Sequence, residues 1–421
     1  SGSRAHGQCH ASIHIGCMSL NSDIAIVGGG LIGPVLALAC AKAGLKCVVV
    51  DAQSMDTRAN AKFDGRAYAL ALASRRMLTA LDIWQHVAEY AQNMNDIKVT
   101  DGRQGDGAAF LGLHFSSDEI EDGPMGSMLE DRYLRRTMMQ MIDRHPDITH
   151  LSGTRVVAQT ITAQGASLTL DDGSVVTTTL IVGADGRQSS TAARAGITRM
   201  GWDYKQTALV CAIAHEAPHN GIAHQFFMPS GPLAILPLPG NRSSIVWTEQ
   251  SNLANAIHRL PDNDYLQVLR PRFGDFLGAI ELCGPRHVYP LNLTIARSFT
   301  GPRVALAGDA AHGVHPIAGQ GLNAGLRDVA ALSEVLITAH QHGEDIASPA
   351  VLSRYAQWRS FDTAALATAT DLFNRLFSND NAFLRIGRDL GMGLVNALPS
   401  VRRTAIREAA GLNGDLPKLM Q

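Results

Sequence analysis

The stretch from Gly308 to Asp328 reads GDAAHGVHPIAGQGLNAGLRD, and its residue types are those of a cofactor cradle. A short apolar strand, Val304 to Ala307, precedes it. The lone carboxylate Asp309 should therefore emerge with Gly308 at a strand's carboxyl end, where open α/β sheets place their ligands. Gly319 and Gly321 let the backbone come close to a bound group. From about Gln320 the chain reads as helix, and the amides at its start, through Leu322 and Asn323, can donate to an anion or an electron-rich carbonyl. His312 and His315 share the run at i, i+3 spacing, and no metal is assigned to them.

A second constellation lies near the beginning. Ile24 to Val27 is an apolar strand, and Gly28, Gly30 and Gly33 follow in GxGxxG spacing. A helix from about Leu36 ends at Gly44, and the strand Lys46 to Val50 ends in Asp51, 23 residues after Gly28. This is a whole dinucleotide unit: glycines for the turn and the backbone approach, a helix start for a diphosphate, an acid for ribose hydroxyls. Pro34 is tolerated because the first helical turn lacks internal N–H partners. A third run, Leu180 to Gly186 (LIVGADG), is again an apolar strand ending in an acid, Asp185, and a glycine.

In this order the three runs resemble the flavoprotein monooxygenases of the para-hydroxybenzoate hydroxylase type. DGRAYAL at Asp64 to Leu70, GPLAILPL at Gly231 to Leu238, SIVW at Ser244 to Trp247 and the run from His315 to Asp328 narrow the likeness. Together they are similar to the aromatic-ring hydroxylases of ubiquinone biosynthesis, the UbiH/UbiF/VisC group, from about Ser22 to Leu398. The resemblance implies FAD as cofactor, with Gly28, Gly30 and Gly33 at its pyrophosphate and Asp51 at the adenosine ribose. The group usually has glutamate there, so the shorter Asp51 makes a longer contact or one bridged by water. Arg132 matches a family arginine near flavin and phosphates, and Arg66 would lie close to the flavin or the nicotinamide. Asp185 would help bind FAD, Asp309 the ribityl chain or pyrophosphate, and the amides from Gly319 to Asn323 the pyrimidine end of the flavin.

The implied chemistry is hydroxylation of a polyprenyl phenol or quinone precursor through a C4a-hydroperoxyflavin, with O2 and with NADH or NADPH as electron donor. Water must be kept from that site. The cofactor carries the hard steps, so no catalytic acid, base or metal is named. An oxidase or reductase of another aromatic substrate, or a flavin-binding scaffold of a quinone-biosynthesis complex, are the alternatives. A flavin halogenase would carry a WxWxIP run, which is absent.

The fold expected is α/β: a Rossmann-like FAD-binding domain interleaved with a mixed β-sheet substrate domain, and C-terminal helices. Residues 21–92, 128–200 and 289–345 are assigned to the first, 93–127 and 201–288 to the second, and 346–421 to the helical end. Helices are predicted over Tyr68 to Leu81, Met128 to Arg144 and Asp264 to Leu277. Strands are predicted over Ile97 to Phe115, around a hairpin at Asp171 to Gly173, and from Thr207 to Val288. Phe226, Phe227, Leu236 and Pro237 are the candidate substrate-lining residues.

A chain of 421 residues, 46% hydrophobic, can bury a core of this size. Its formal net charge of −2 offers no basic excess for nucleic acid. No apolar run is long enough to span a bilayer, and the six cysteines follow no disulfide spacing. A reducing, cytoplasmic setting is expected, peripheral to the inner membrane if the prenylated substrate or a quinone-biosynthesis complex holds it there. The oligomeric state stays open. Residues 1–20 lack periodicity and read as a disordered extension, so Cys9, His10, His14 and Cys17 make no metal site without a folded frame.

Overall fold

The computed structural model describes residues 19–103, 107–119, 123–272, 274–313, 320–360 and 399–421. Apolar strands rich in Val, Ile and Leu, suited to burial on both faces, build a parallel sheet. Across it run Val304–Leu306, Val175–Gly183, Ser19–Val27, Cys47–Asp51 and Ile148–Ser152. In chain order that is 5-4-1-2-3, which from the other edge is the 3-2-1-4-5 order of a dinucleotide-binding sheet. The helix Ile32–Ala41 is apolar on all sides and buried from its second residue onward. It lies against the helices Gln320–Gln341 and Asp131–Arg144. The hairpin predicted at Asp171 to Gly173 joins Ala166–Leu170 to Val175–Gly183.

A second, nine-stranded sheet runs His312–Gly313, His287–Ala296, Arg199–His215, Arg242–Gln250, Gly231–Leu238, Ile222–Met228, Asp96–Arg103, Gly107–Ser116, with Ile280–Leu282 beside Arg199–His215. The strands Arg199–His215 and His287–Ala296 pair from Arg199 with Ala296 to Val210 with His287. They run through residues 200 and 288, where the sequence reading divides the domains. A small sheet of Ala67–Ala71, Gly126–Glu130 and Gln92–Met94 lies between the two large ones in the chain's path.

That small sheet corrects two helices. Tyr68 to Leu70 pair with Ser127 to Leu129 as strand, and helix begins only at Leu72; likewise Met128 to Glu130 are strand and helix begins at Asp131. Cross-strand pairing outweighs the local helical preference of alanine and leucine. The helix expected over Asp264 to Leu277 is instead Asp262–Leu269, preceded by Ser251–His258. At the C-terminal end residues 349–360 and Pro399–Ala409 are helical; the stretch 361–398 lies outside the described residues. No helix among the described residues is long and apolar enough to cross a membrane.

One buried cluster holds the loop that follows Val304–Leu306. Asp328, fully buried on the helix Gln320–Gln341, accepts from the Gly308 amide at 2.8 Å, from His312 Nε2 at 2.6 Å and from Arg359 Nε at 2.7 Å. Tyr355 Oη donates to the Leu306 carbonyl at 2.7 Å. His312 is thus a fastener inside the protein. Burial drives the Asp328 carboxyl upward, but the charges and hydrogen bonds of His312 and Arg359 outweigh it and hold the group below the usual carboxylate range.

A carboxyl depressed on folding stabilises the protein above its unfolded pKa of about 3.9 and loses that stabilisation as pH falls through the lower folded value. D328N removes the acid from a buried ion cluster, which costs about 3–5 kcal/mol. Thermal unfolding across pH 3–7 should show the parent more stable by that margin above about pH 4, with the gap closing in stronger acid. Equal stability of the two proteins at neutral pH would contradict this role.

Candidate cofactor and active site

The first glycine turn is shaped by close approach. Gly28 has φ +115°, a conformation L side chains rarely adopt, and a Cβ there would stand 2.3 Å from the Ala184 carbonyl oxygen. The turn therefore lies directly on the Ala184–Asp185 peptide. Gly33 packs on the Gly28 carbonyl, while Gly30 faces open space. No side chain caps the start of the helix Ile32–Ala41, so its first amides are available to an anion. Gly308 packs on Ile32, which brings the Gly308–Asp309 turn alongside the first one. Gly321 also faces open space. These uncapped amides and open glycines fit a dinucleotide diphosphate and a flavin ring.

Asp51 is 2% exposed, at the end of its strand and against Gly29, where an added Cβ would fall 2.2 Å from Asp51 Oδ2. Gly29 is a site residue the sequence reading passed over, because the motif spacing counts only its neighbours. Both Asp51 oxygens receive Arg58, Nε at 2.7 Å and Nη2 at 3.0 Å. Asp309 meets Arg187 Nε at 3.2 Å, and Arg199 Nη2 donates to its backbone carbonyl at 2.8 Å.

The side chains of several expected site residues are engaged by the protein itself. The Asp185 carboxylate accepts from Ser189 Oγ at 2.5 Å and from Thr191 N at 2.9 Å and Oγ1 at 3.0 Å. It caps the short helix Ser190–Arg194, and it is the Asp185 backbone that adjoins Gly28. Asn323 Oδ1 accepts from Ala71 N at 2.9 Å and Ser74 Oγ at 2.8 Å, and Nδ2 donates to Ala69 O at 2.8 Å. Its side chain fastens the helix start, as partly buried Leu322 does by packing on the core. Arg132 donates to Glu130 Oε2 at 2.7 Å and to Ala61 O at 3.1 Å, with Phe63 under its guanidinium. Gly319 and His315 lie outside the described residues.

Arg66 donates to Asp64 Oδ2 from Nη2 at 2.6 Å and approaches Asp131 Oδ2 at 3.1 Å, while Tyr68 Oη donates to Asp131 Oδ1 at 3.1 Å. Burial pushes Asp64 upward, and its hydrogen bonds and charge contact with Arg66 bring it below the ordinary range. Burial raises the phenols of Tyr68 and Tyr289, with Asp131 and Asp64 adding to it and Arg66 opposing. Both phenols stay neutral O–H donors around a fixed cation. Arg135, missed in the sequence although it stands one turn beyond Asp131, donates to Asp131 Oδ2 at 2.5 Å and to the Arg58 carbonyl at 2.7 Å.

The four lining candidates divide by strand alternation. Phe226 packs with Leu233, Ile235, Trp247 and Tyr265 in the core behind the nine-stranded sheet. Pro237 is buried and shares the register face of Ile235. Leu236 lies on the opposite face, partly buried with Phe63, Ala69 and Cys283 beside Met128 and Ala212. Phe227, 3% exposed, alternates with Phe226 and so shares the face of Ala223.

If Asp51 holds the cofactor at the ribose, G29A should displace that carboxylate. The FAD dissociation constant, read by flavin fluorescence titration of the apoprotein, should rise at least about tenfold, or about 1.4 kcal/mol. An unchanged constant would place the ribose elsewhere.

Residues 21–370 match the FAD binding domain family. The chain is 43% identical to the ubiquinone hydroxylase UbiL of Rhodospirillum rubrum over 95% of this chain and 92% of that protein. It is 32% identical to the 3-demethoxyubiquinol 3-hydroxylase of Escherichia coli, over 93% and 99%. The p-nitrophenol 4-monooxygenase PnpA of Pseudomonas putida superposes with a TM-score of 0.77, at 19% identity over 94% of this chain and 99% of that one, and so shares the fold. The glycine turns and the uncapped helix start lie within the matched residues, and the chain belongs to the FAD binding domain family, alongside the ubiquinone hydroxylases.

Proposed function

We propose that this FAD protein is a monooxygenase that hydroxylates the aromatic ring of a polyprenyl phenol or quinone precursor in ubiquinone biosynthesis. The observation that carries the substrate class is the apolar seam between the small sheet and the nine-stranded one. Ala67 and Ala69 belong to one wall, Ala212 and Ala223 to the other, and Phe63, Leu236 and Cys283 are only partly buried along it. Its walls are apolar, as a hydrophobic chain requires, and Arg66 precedes Ala67 directly.

Bound FAD supplies electron transfer from NADH or NADPH and the activation of O2. The chain's own residues bind, orient and keep water out. The amides opening the helix Gln320–Gln341 offer dipoles to negative charge on the ring system. Arg66, clamped by Asp64 and Asp131, adds a fixed cation, and the neutral phenol of Tyr289 can donate to a substrate oxygen. The apolar walls exclude water from the reacting ring. A prenylated substrate resides in a membrane, so peripheral attachment is part of the proposal, and co-sedimentation with liposomes checks it.

Anaerobic NADH or NADPH should bleach the flavin bands faster when a prenylated phenol is present, and admitting air should give a product heavier by one oxygen. L236W narrows the seam. It should raise KM for the prenylated phenol about tenfold more than for the unprenylated ring, because a chain excluded from an apolar site loses on the order of 25 cal/mol per Å². Equal effects on both substrates would remove Leu236 from the chain's path.

A further inference from the structure

The pairing of Asp51 with Arg58 asks for a reason. An acid that is to receive ribose hydroxyls is here already held by a fork-to-fork guanidinium contact through Nε and Nη2, at 2.7 and 3.0 Å. The Gln53 amide adds a third donor to Oδ1 at 3.1 Å. Each carboxylate oxygen can accept two bonds, so Oδ2 keeps one lone pair for a hydroxyl. The arginine spends two of its three nitrogens on Asp51. Among the described residues its Nη1 makes no hydrogen bond.

The placement of Arg58 is built. It ends the short helix Met55–Arg58, where Ser54 Oγ accepts from the Thr57 amide at 3.3 Å and the Ser54 carbonyl accepts from the Arg58 amide at 3.1 Å. Arg135, 7% exposed, reaches over from the helix Asp131–Arg144 and fixes the Arg58 carbonyl at 2.7 Å. The side chain of Arg58 itself is 21% exposed, open enough to meet a ligand.

Electrostatics give the pair a task. A bare carboxylate at the adenosine ribose would stand close to the diphosphate of the same cofactor, and like charges in a partly buried site disfavour each other. Bound to Arg58, Asp51 keeps its acceptor while the pair carries no net charge. Asp51 is also one methylene shorter than glutamate, and a rigid bidentate partner sets its single orientation.

We propose that Arg58 is a cofactor-binding residue: it neutralises and orients Asp51 and presents Nη1 to the adenosine half of FAD. The proposal rests on the FAD assignment and not on the identity of the ring substrate. The alternative is that Arg58 only pins the segment between Asp51 and Arg66 to the body.

Titration of the apoprotein with FAD by flavin fluorescence, at low and high salt, separates the two. R58Q should raise the dissociation constant about 10- to 100-fold, the range expected for a hydrogen bond to a charged group, and R58K should lie between it and the parent. The salt dependence of the constant should differ between parent and R58Q, since one charge next to the diphosphate is gone. The R58Q apoprotein should unfold at a lower temperature than the parent, because buried Asp51 loses its partner, whereas R58K, which keeps the charge, should unfold close to the parent. An unchanged FAD affinity overturns the proposal, and so does a loss of affinity in R58Q with the parent's salt dependence, which assigns Arg58 to pinning. A parent that takes up no FAD overturns both this role and the FAD assignment.

Discussion

Asp328 is the constraint on which the site depends. A carboxylate with no exposure has to be paired, and its partners are the Gly308 amide, His312 and Arg359. Those bonds tie the helix Gln320–Gln341 to the loop after the fifth parallel strand. Gly308 in turn packs on Ile32 at the first glycine turn, and Gly28 lies on the Ala184 carbonyl. Three loops at the carboxyl ends of neighbouring strands are thereby held together, one pair backbone against backbone and the other through the Ile32 side chain. The cofactor site is the surface they share.

Many polar groups at this site act by holding other parts of the chain. Asp185 caps its own helix, and the side chain of Asn323 joins two elements. Such fasteners spend their hydrogen-bonding capacity before any ligand arrives. What they leave uncommitted is mainly backbone: the uncapped amides opening the helix Ile32–Ala41 and the open sides of Gly30 and Gly321. Backbone donors cost no side-chain entropy to hold in place, which suits them to a large, rigid, anionic cofactor. The charged side chains cluster instead around Arg66 and Arg58, linked through Arg135.

The glycine turns were legible because their chemistry is local: strand, glycine, helix and acid lie within a few dozen residues. Asp51 was legible for the same reason. Its partner Arg58 was not, since nothing in the sequence says where a short helix will aim an arginine. The Asp328–Arg359 pair spans 31 positions and has no spacing rule behind it. Tyr68 to Leu70 read as helix because alanine and leucine favour it, and only pairing with Gly126–Glu130 makes them strand. Leu236 and Pro237 could not be told apart by face, because Gly231–Leu238 is buried along nearly its whole length and its alternation is hidden.

The central claim is that this chain inserts an oxygen atom from O2 into an aromatic ring. The most direct measurement is a single turnover of the FAD-loaded, NAD(P)H-reduced protein with a prenylated phenol under ¹⁸O2, followed by mass spectrometry of the phenol. One ¹⁸O in the product, carried by a new ring hydroxyl, is the expected result. A product carrying ordinary oxygen, or reduced flavin reoxidised with the phenol recovered unchanged, would contradict it.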